Sequence, residues 1–165
     1  MKKWCFFIAS LFICMMTTMA YASLKISMYK MDGTKIGFVR ADDTIYGLIL
    51  TPSLYHLPPG VHGFHIYTFP FCKKNAQCAG GHWDPVGRDV HRGPYDAGHL
   101  GDLPVLIVGE NGKAALPVLV PRLKLEQIKG HALIVEIGGD NYSDIPHENG
   151  GEKGPLACGE IPYFN

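Results

Sequence analysis

The chain has 165 residues, and its 15 Lys and Arg balance 15 Asp and Glu to a formal net charge of zero. No basic stripe breaks that balance, which excludes nucleic acid as a partner class. The length suits one domain with a real hydrophobic core, and no repeat, low-complexity tract or linker divides it.

The first 22 residues read as a secretory signal peptide. Lys2 and Lys3 precede an apolar run from Trp4 to about Met16, and the segment closes on Ala20-Tyr21-Ala22, an Ala-x-Ala end that places cleavage before Ser23. The run is too short to span a bilayer comfortably. The expected product is a periplasmic or secreted domain of residues 23–165, with no membrane contact after cleavage. Loss of the two lysines leaves it 13 basic and 15 acidic residues. Cys5 and Cys14 leave with the signal, and Cys72, Cys78 and Cys158 remain. An oxidising compartment makes one disulfide plausible and leaves one thiol over.

From Ser23 onward the pattern is short strands with turns between them. Leu24, Ile26 and Met28 alternate with polar residues, and Asp32-Gly33 marks a turn. Strands are expected over Lys35–Ala41, Thr44–Leu50 and, after the break at Pro58-Pro59-Gly60, Val61–Phe69. Further runs cover Leu103–Val108, Ala114–Val120, Ala132–Ile137 and Cys158–Ile161. The turn Glu110-Asn111-Gly112 looks like a hairpin connection. Only Leu123–Lys129 has a helical look. About eight strands argue an all-β sandwich or barrel. Two long irregular loops, Pro70–Asp102 and Gly138–Pro155, exceed ordinary connections and are candidates to carry function.

The first of these loops ends in the stretch Gly80–Asp102, which holds His82, His91, His99 and Asp102 with eight, seven and two residues between successive members. Prolines and glycines punctuate each gap, so the stretch is loop. Three imidazoles and one carboxylate form a closed four-ligand set that suits tetrahedral zinc.

Several motifs then carry a family resemblance: GVHGFHIYTF, AGGHWDP, HRGPYDAGHLGDLP, GGDN and ACGEI, in that order over nearly the whole of residues 23–165. They resemble the copper/zinc superoxide dismutases, in particular the bacterial periplasmic branch. The resemblance implies an eight-stranded Greek-key β-barrel or sandwich with two long functional loops outside it. It implies that His82 bridges copper and zinc, and that His91, His99 and Asp102 complete the zinc set. It pairs Cys72 with Cys158 in a disulfide. It also makes Asp140 the carboxylate that hydrogen-bonds ligands of both metals, a role that supports metal affinity.

The copper side departs from the pattern. The family's His-x-His pair reads His65-Ile66-Tyr67 here, and Glu136 stands where a later strand supplies the last histidine. The remnant pocket is His65, Tyr67, His82 and Glu136. Pro155 stands where the family has the arginine that attracts superoxide, and Glu148 and Glu152 add negative charge to that loop, opposing anion capture. Dismutation needs a metal that changes oxidation state, which zinc does not. A phenol and a hard carboxylate serve Cu(I) poorly. The segment Lys73–Ala79 is also shorter than its counterpart in periplasmic relatives, which leaves monomer and dimer both open. Cys78 is a buried thiol, an alternative partner for Cys158 or an intermolecular bridge.

These residues lead to an exported zinc-binding protein of dismutase fold, with copper absent or weakly bound and little or no dismutase activity. Two alternatives stand beside it. One is a metalloenzyme using a remodelled His65/His82/Glu136 site, for residual dismutation or another redox reaction. The other is a periplasmic zinc-storage protein, to which His56, His62, His131 and His147 add scattered histidines.

Overall fold

The computed structural model describes residues 22–73 and 76–163; the expected signal segment lies almost entirely outside them. Among the described residues there are nine strand segments, one four-residue helix and one 3-10 turn. The strands are β1 (Ser23–Lys30), β2 (Lys35–Thr44), β3 (Gly47–Leu54), β4 (Gly60–His62), β5 (Phe64–Tyr67), β6 (Leu106–Val108), β7 (Val118–Val120), β8 (Ala132–Glu136) and β9 (Pro155–Glu160).

All pairings are antiparallel. Seven strands form one sheet in the order β5-β8-β9-β1-β2-β3-β7, and β4 pairs with β6. Segments β4 and β5 are two halves of one strand interrupted at Gly63, whose N–H donates to Gly138 and whose carbonyl accepts from Glu136. With those halves joined, the eight expected strands run as one curled sheet from β6 to β7.

Alternation drives the packing. Leu24, Ile26 and Met28 of β1 point inward, with polar residues between them facing out, as a half-buried strand requires. In β2 the buried Ile36 and Val39 are three apart, because the ladder slips between Met28 and Tyr29 opposite Gly37. Gly37 has φ +125°, and a Cβ there would run into the Ser53 carbonyl. This bulge returns β2 to an inward phase. The core gathers Phe64 and Ile66 of β5, Leu133 and Val135 of β8, Leu48 and Leu50 of β3, Leu106 of β6, and Leu103 and Leu123 from the connections.

Two expectations change. The turn near Asn111 forms, with Gly109 donating to Lys113 and Gly112 to Gly109, but it is no hairpin. Its flanking strands diverge, β6 to β4 and β7 to β3, so the chain crosses between the two halves of the sheet. The strands there are also shorter than their apolar runs, starting at Leu106 and Val118. Pro104 and Pro117 cannot donate to a ladder. The helix keeps only Leu125–Ile128, burying Leu125 and Ile128.

Candidate metal centre

The loop over residues 80–102 is fastened to β5 by backbone bonds. Ile66 donates to Gly101, Trp83 to Ile66 and Thr68 to Gly81, at 2.8–3.1 Å. The same ladder sets His65 opposite Asp102 and Tyr67 opposite His82. Residues 80–102 thus bring their ligand-type side chains onto a rigid strand edge.

Four donors converge there. Oδ1 of Asp102 lies 3.1 Å from Nδ1 of His82, 3.0 Å from Nδ1 of His91 and 3.3 Å from Nδ1 of His99. A tetrahedral ion bonded at zinc's usual lengths separates its ligands by about 3.3 Å. Nδ1 of His91 and of His99 are buried without a hydrogen-bond partner, and buried polar atoms rarely go unpartnered. The residues present therefore fit a zinc-type ion. The four donors that all lie within 4.8 Å of one another are those of His65, His82, His91 and Asp102; His99 stands outside that group and approaches it through Asp102, while Nε2 of His65 is 3.1 Å from Asp140.

Asp140 joins the two halves of the site. Its carboxylate, fully buried, reaches Nε2 of His65 with Oδ2 and Nε2 of His91 at 2.8 Å with Oδ1. Tyr142 N–H donates to the same Oδ1. Gly150 packs so tightly on this carboxylate that a Cβ would run into Oδ1, and its φ of +74° is a second reason for glycine. Asp144 ties the second loop to the first by accepting from the His91 N–H at 2.9 Å.

Next to His82 lies a polar pocket of different character. The Tyr67 hydroxyl donates to Oε1 of Glu136 at 3.0 Å and lies 3.2 Å from Oε2 of Glu152. That Glu152 oxygen is 3.1 Å from Nε2 of His82 and 4.0 Å from Nδ1 of His65. The rings of His65 and His82 stack at 3.9 Å. Glu152 was legible in the sequence only as charge; nothing in its spacing marks it as a side chain that turns inward. The turn Glu148–Gly151 aims it, through left-handed Asn149 and Gly150. Pro155 opens β9 opposite Glu136.

The electrostatics follow from burial and these contacts. Burial is the largest influence on His82 and His91 and opposes their charge, but carboxylates overcome it. Asp102 and Glu152 bring His82 up to about 9, and Asp102 and Asp140 bring His91 up to about 10. Burial likewise opposes ionisation of Asp102 and Asp140, yet the histidines hold both below the usual carboxylate range. His65 is pushed down to about 4 by burial and the His82 charge. Glu136 is pushed up to about 7 by burial and by Glu152, and Tyr67 is raised by burial and by both carboxylates.

Cys72 and Cys158 form a disulfide, which fastens the start of the first long loop to β9. Cys78 is exposed and free, contrary to the buried reading. The remaining histidines serve the framework where they are bonded. His62 places its ring nitrogens 2.8 and 2.9 Å from the carbonyls of Glu136 and Pro58. His131 reaches the Thr68 carbonyl.

Comparison with known proteins agrees with this architecture. The family described as copper/zinc superoxide dismutase (SODC) matches residues 35–161. A Superoxide dismutase [Cu-Zn] of Legionella pneumophila is 48% identical over 126 residues, 76% of this chain and 77% of the relative. The structure of Cu/Zn superoxide dismutase from Brucella abortus superposes with a TM-score of 0.81 at 39% identity, covering 85% of this chain and 99% of that one. A SOD-like protein from Bacillus subtilis gives a TM-score of 0.71 at 27% identity, covering 86% and 99%. By sequence match, fold and convergent histidines, the chain belongs to the copper/zinc superoxide dismutase family.

Proposed function

We propose that this is an exported, zinc-holding member of the family with little or no dismutase activity. Zinc would sit among Nδ1 of His82, His91 and His99 and Oδ1 of Asp102. Bound there it closes the loop over residues 80–102 and adds its binding free energy to folding. Asp140 orients His91 and His65 from behind. Export is supported by the Ala20-Tyr21-Ala22 end of the leader and by the Cys72–Cys158 disulfide, which belongs to an oxidising compartment.

The observation that carries the loss of dismutase chemistry is the carboxylate of Glu152, 3.1 Å from Nε2 of His82. The family's bridging role asks that nitrogen to face copper. Here it faces an acceptor and keeps a proton. Tyr67 and Glu136 hold the two flanking positions, and Pro155 supplies no cation to attract superoxide. Two imidazoles, His65 and His82, remain for a metal that favours several.

The test is superoxide turnover by the zinc-loaded protein after incubation with copper. Turnover at the background rate is expected. A rate near that of the Legionella or Brucella dismutase, measured side by side, would sink the reading.

A further inference from the structure

Alongside the zinc-type group, two buried polar atoms share a missing partner. Nδ1 of His65 and Oε2 of Glu136 are both without a hydrogen bond, on residues that are 0% exposed. Buried polar atoms in folded proteins are nearly always partnered. His65, Glu136 and Glu152 each place one donor atom within 4.8 Å of the others, a spacing that a single ion can span. Nε2 of His82 joins them through its 3.1 Å approach to Glu152, and its ring lies parallel to that of His65 within 20°.

Charge adds an independent argument. Among the described residues, the ion pairs of Arg and Lys lie elsewhere, at Arg40–Asp42, Arg92–Asp96 and Lys129–Glu126. Among the described residues no Lys or Arg pairs with Glu136 or Glu152, although Glu136 is fully buried. Once zinc holds Nδ1 of His82, that ring no longer supplies a free positive charge either. Buried carboxylates without a cationic partner are costly, and metal coordination is one of the few remedies.

We propose that this pocket binds a hard divalent cation of the manganese(II) or iron(II) type, held by Nδ1 of His65, Nε2 of His82, Glu136 and Glu152. Carboxylate oxygens suit manganese, imidazole adds affinity for iron, and the mixed set serves soft Cu(I) poorly. His82 then releases its Nε2 proton to solvent and holds one ion on each ring nitrogen, and Glu152 exchanges its hydrogen bond for a metal bond. The Tyr67 hydroxyl keeps its bond to Oε1 of Glu136. The inference rests on the reading that zinc fills the neighbouring group, and it assigns the vacated copper position to a different ion.

Zinc-loaded protein titrated with manganese(II), with free ion followed by electron paramagnetic resonance, tests this. Uptake of about one manganese per chain with zinc retained is expected. Glu136→Gln and Glu152→Gln should each weaken manganese by at least about tenfold, and Glu136→Gln, whose hydrogen bond goes to Tyr67 and not to a zinc-type donor, should do so with zinc content unchanged. No uptake by the parent protein overturns the proposal, and so does uptake that both variants preserve. Crystals soaked in manganese give a reading that needs no variant: an anomalous peak between His65 and Glu152 supports the site, and its absence at saturating manganese refutes it. Failure of the parent to hold zinc would instead refute the reading under Proposed function.

Discussion

Glu152 and His82 meet at 3.1 Å, carboxylate to Nε2, while the opposite ring nitrogen of His82 stands 3.1 Å from Asp102. One imidazole is therefore clamped between two carboxylates. On the Asp102 side, Nδ1 of His91 and of His99 gather round the same carboxylate oxygen. The Glu152 side is the geometry of a closed pocket. The two carboxylates meet across a single ring.

Asp102→Asn should separate the zinc half from the rest of the fold. Oδ1 of Asp102 is the atom around which three Nδ1 donors gather. An amide removes the only anionic ligand, so zinc affinity should fall by more than the 10–100-fold typical of an outer partner (roughly a hundredfold or greater). Zinc at a hundred times its dissociation constant stabilises by about 2.7 kcal/mol, about 5–10 °C for a domain of this size. Thermal scans with and without zinc should show that increment in the parent and not in the variant.

Gly150→Ala should reproduce, from a distance, the defect of Asp140→Asn. The new methyl would displace the Asp140 carboxylate and with it the 2.8 Å contact to His91. Both variants should lose about 10–100-fold in zinc affinity, measured by competition with a chromophoric chelator. Parent-like affinity in Gly150→Ala would mean that the packing there is slack.

In the metal-free protein, stability should fall as pH rises from about 6.5 to about 10. His82 and His91 have folded values near 9 and 10, above the ordinary 6.5. Each contribution is complete below the unfolded value and is lost as pH passes the folded one. Glu136, raised to about 7, acts in the same direction but at lower pH. His65, depressed to about 4, acts oppositely and is spent by pH 6.5. Zinc takes both rings neutral, so the loaded protein should show no such alkaline decline. Denaturant midpoints across this pH range decide it, and a flat profile for the metal-free form would contradict the clamp.

Reduction of Cys72–Cys158 should cost about 2–5 kcal/mol, because the bridge closes a loop of sequence separation 86. Chemical denaturation with and without reductant measures this. Exposed Cys78 should react with a thiol reagent in the native protein under conditions where the other two do not.

Rebuilding copper binding should take three changes. Tyr67→His with Glu136→His restores the imidazole count, but Glu152 would still occupy Nε2 of His82. Adding Glu152→Ser should raise copper from a small fraction to about one equivalent per chain. Full uptake by the double variant alone, in metal analysis, would show that Glu152 yields readily.

The strand pattern was legible because alternation is local: Leu24, Ile26 and Met28 announce their face in the sequence itself. The gathering of His82, His91 and His99 round Asp102 was legible because these residues are close in sequence and of an uncommon type. Tyr67 and Glu136 were found at known motif positions. Glu152 was visible as charge but not as a pocket residue, since its inward turn depends on left-handed backbone at Asn149 and Gly150, which the letters do not encode. The turn at Asn111 misled for a related reason. Its local chemistry is that of a hairpin, whereas strand partners are chosen by distant core packing.

The backbone bonds from residues 80–102 to Ile66 and Thr68 have a bearing on solubility. They cap the flank of β5 that β8 leaves open, and open flanks recruit strands from other molecules. An ion that keeps this loop seated therefore also keeps the chain to itself. Stripped of metal at high concentration, the protein should self-associate through β5, and restoring zinc before that association sets in should prevent it.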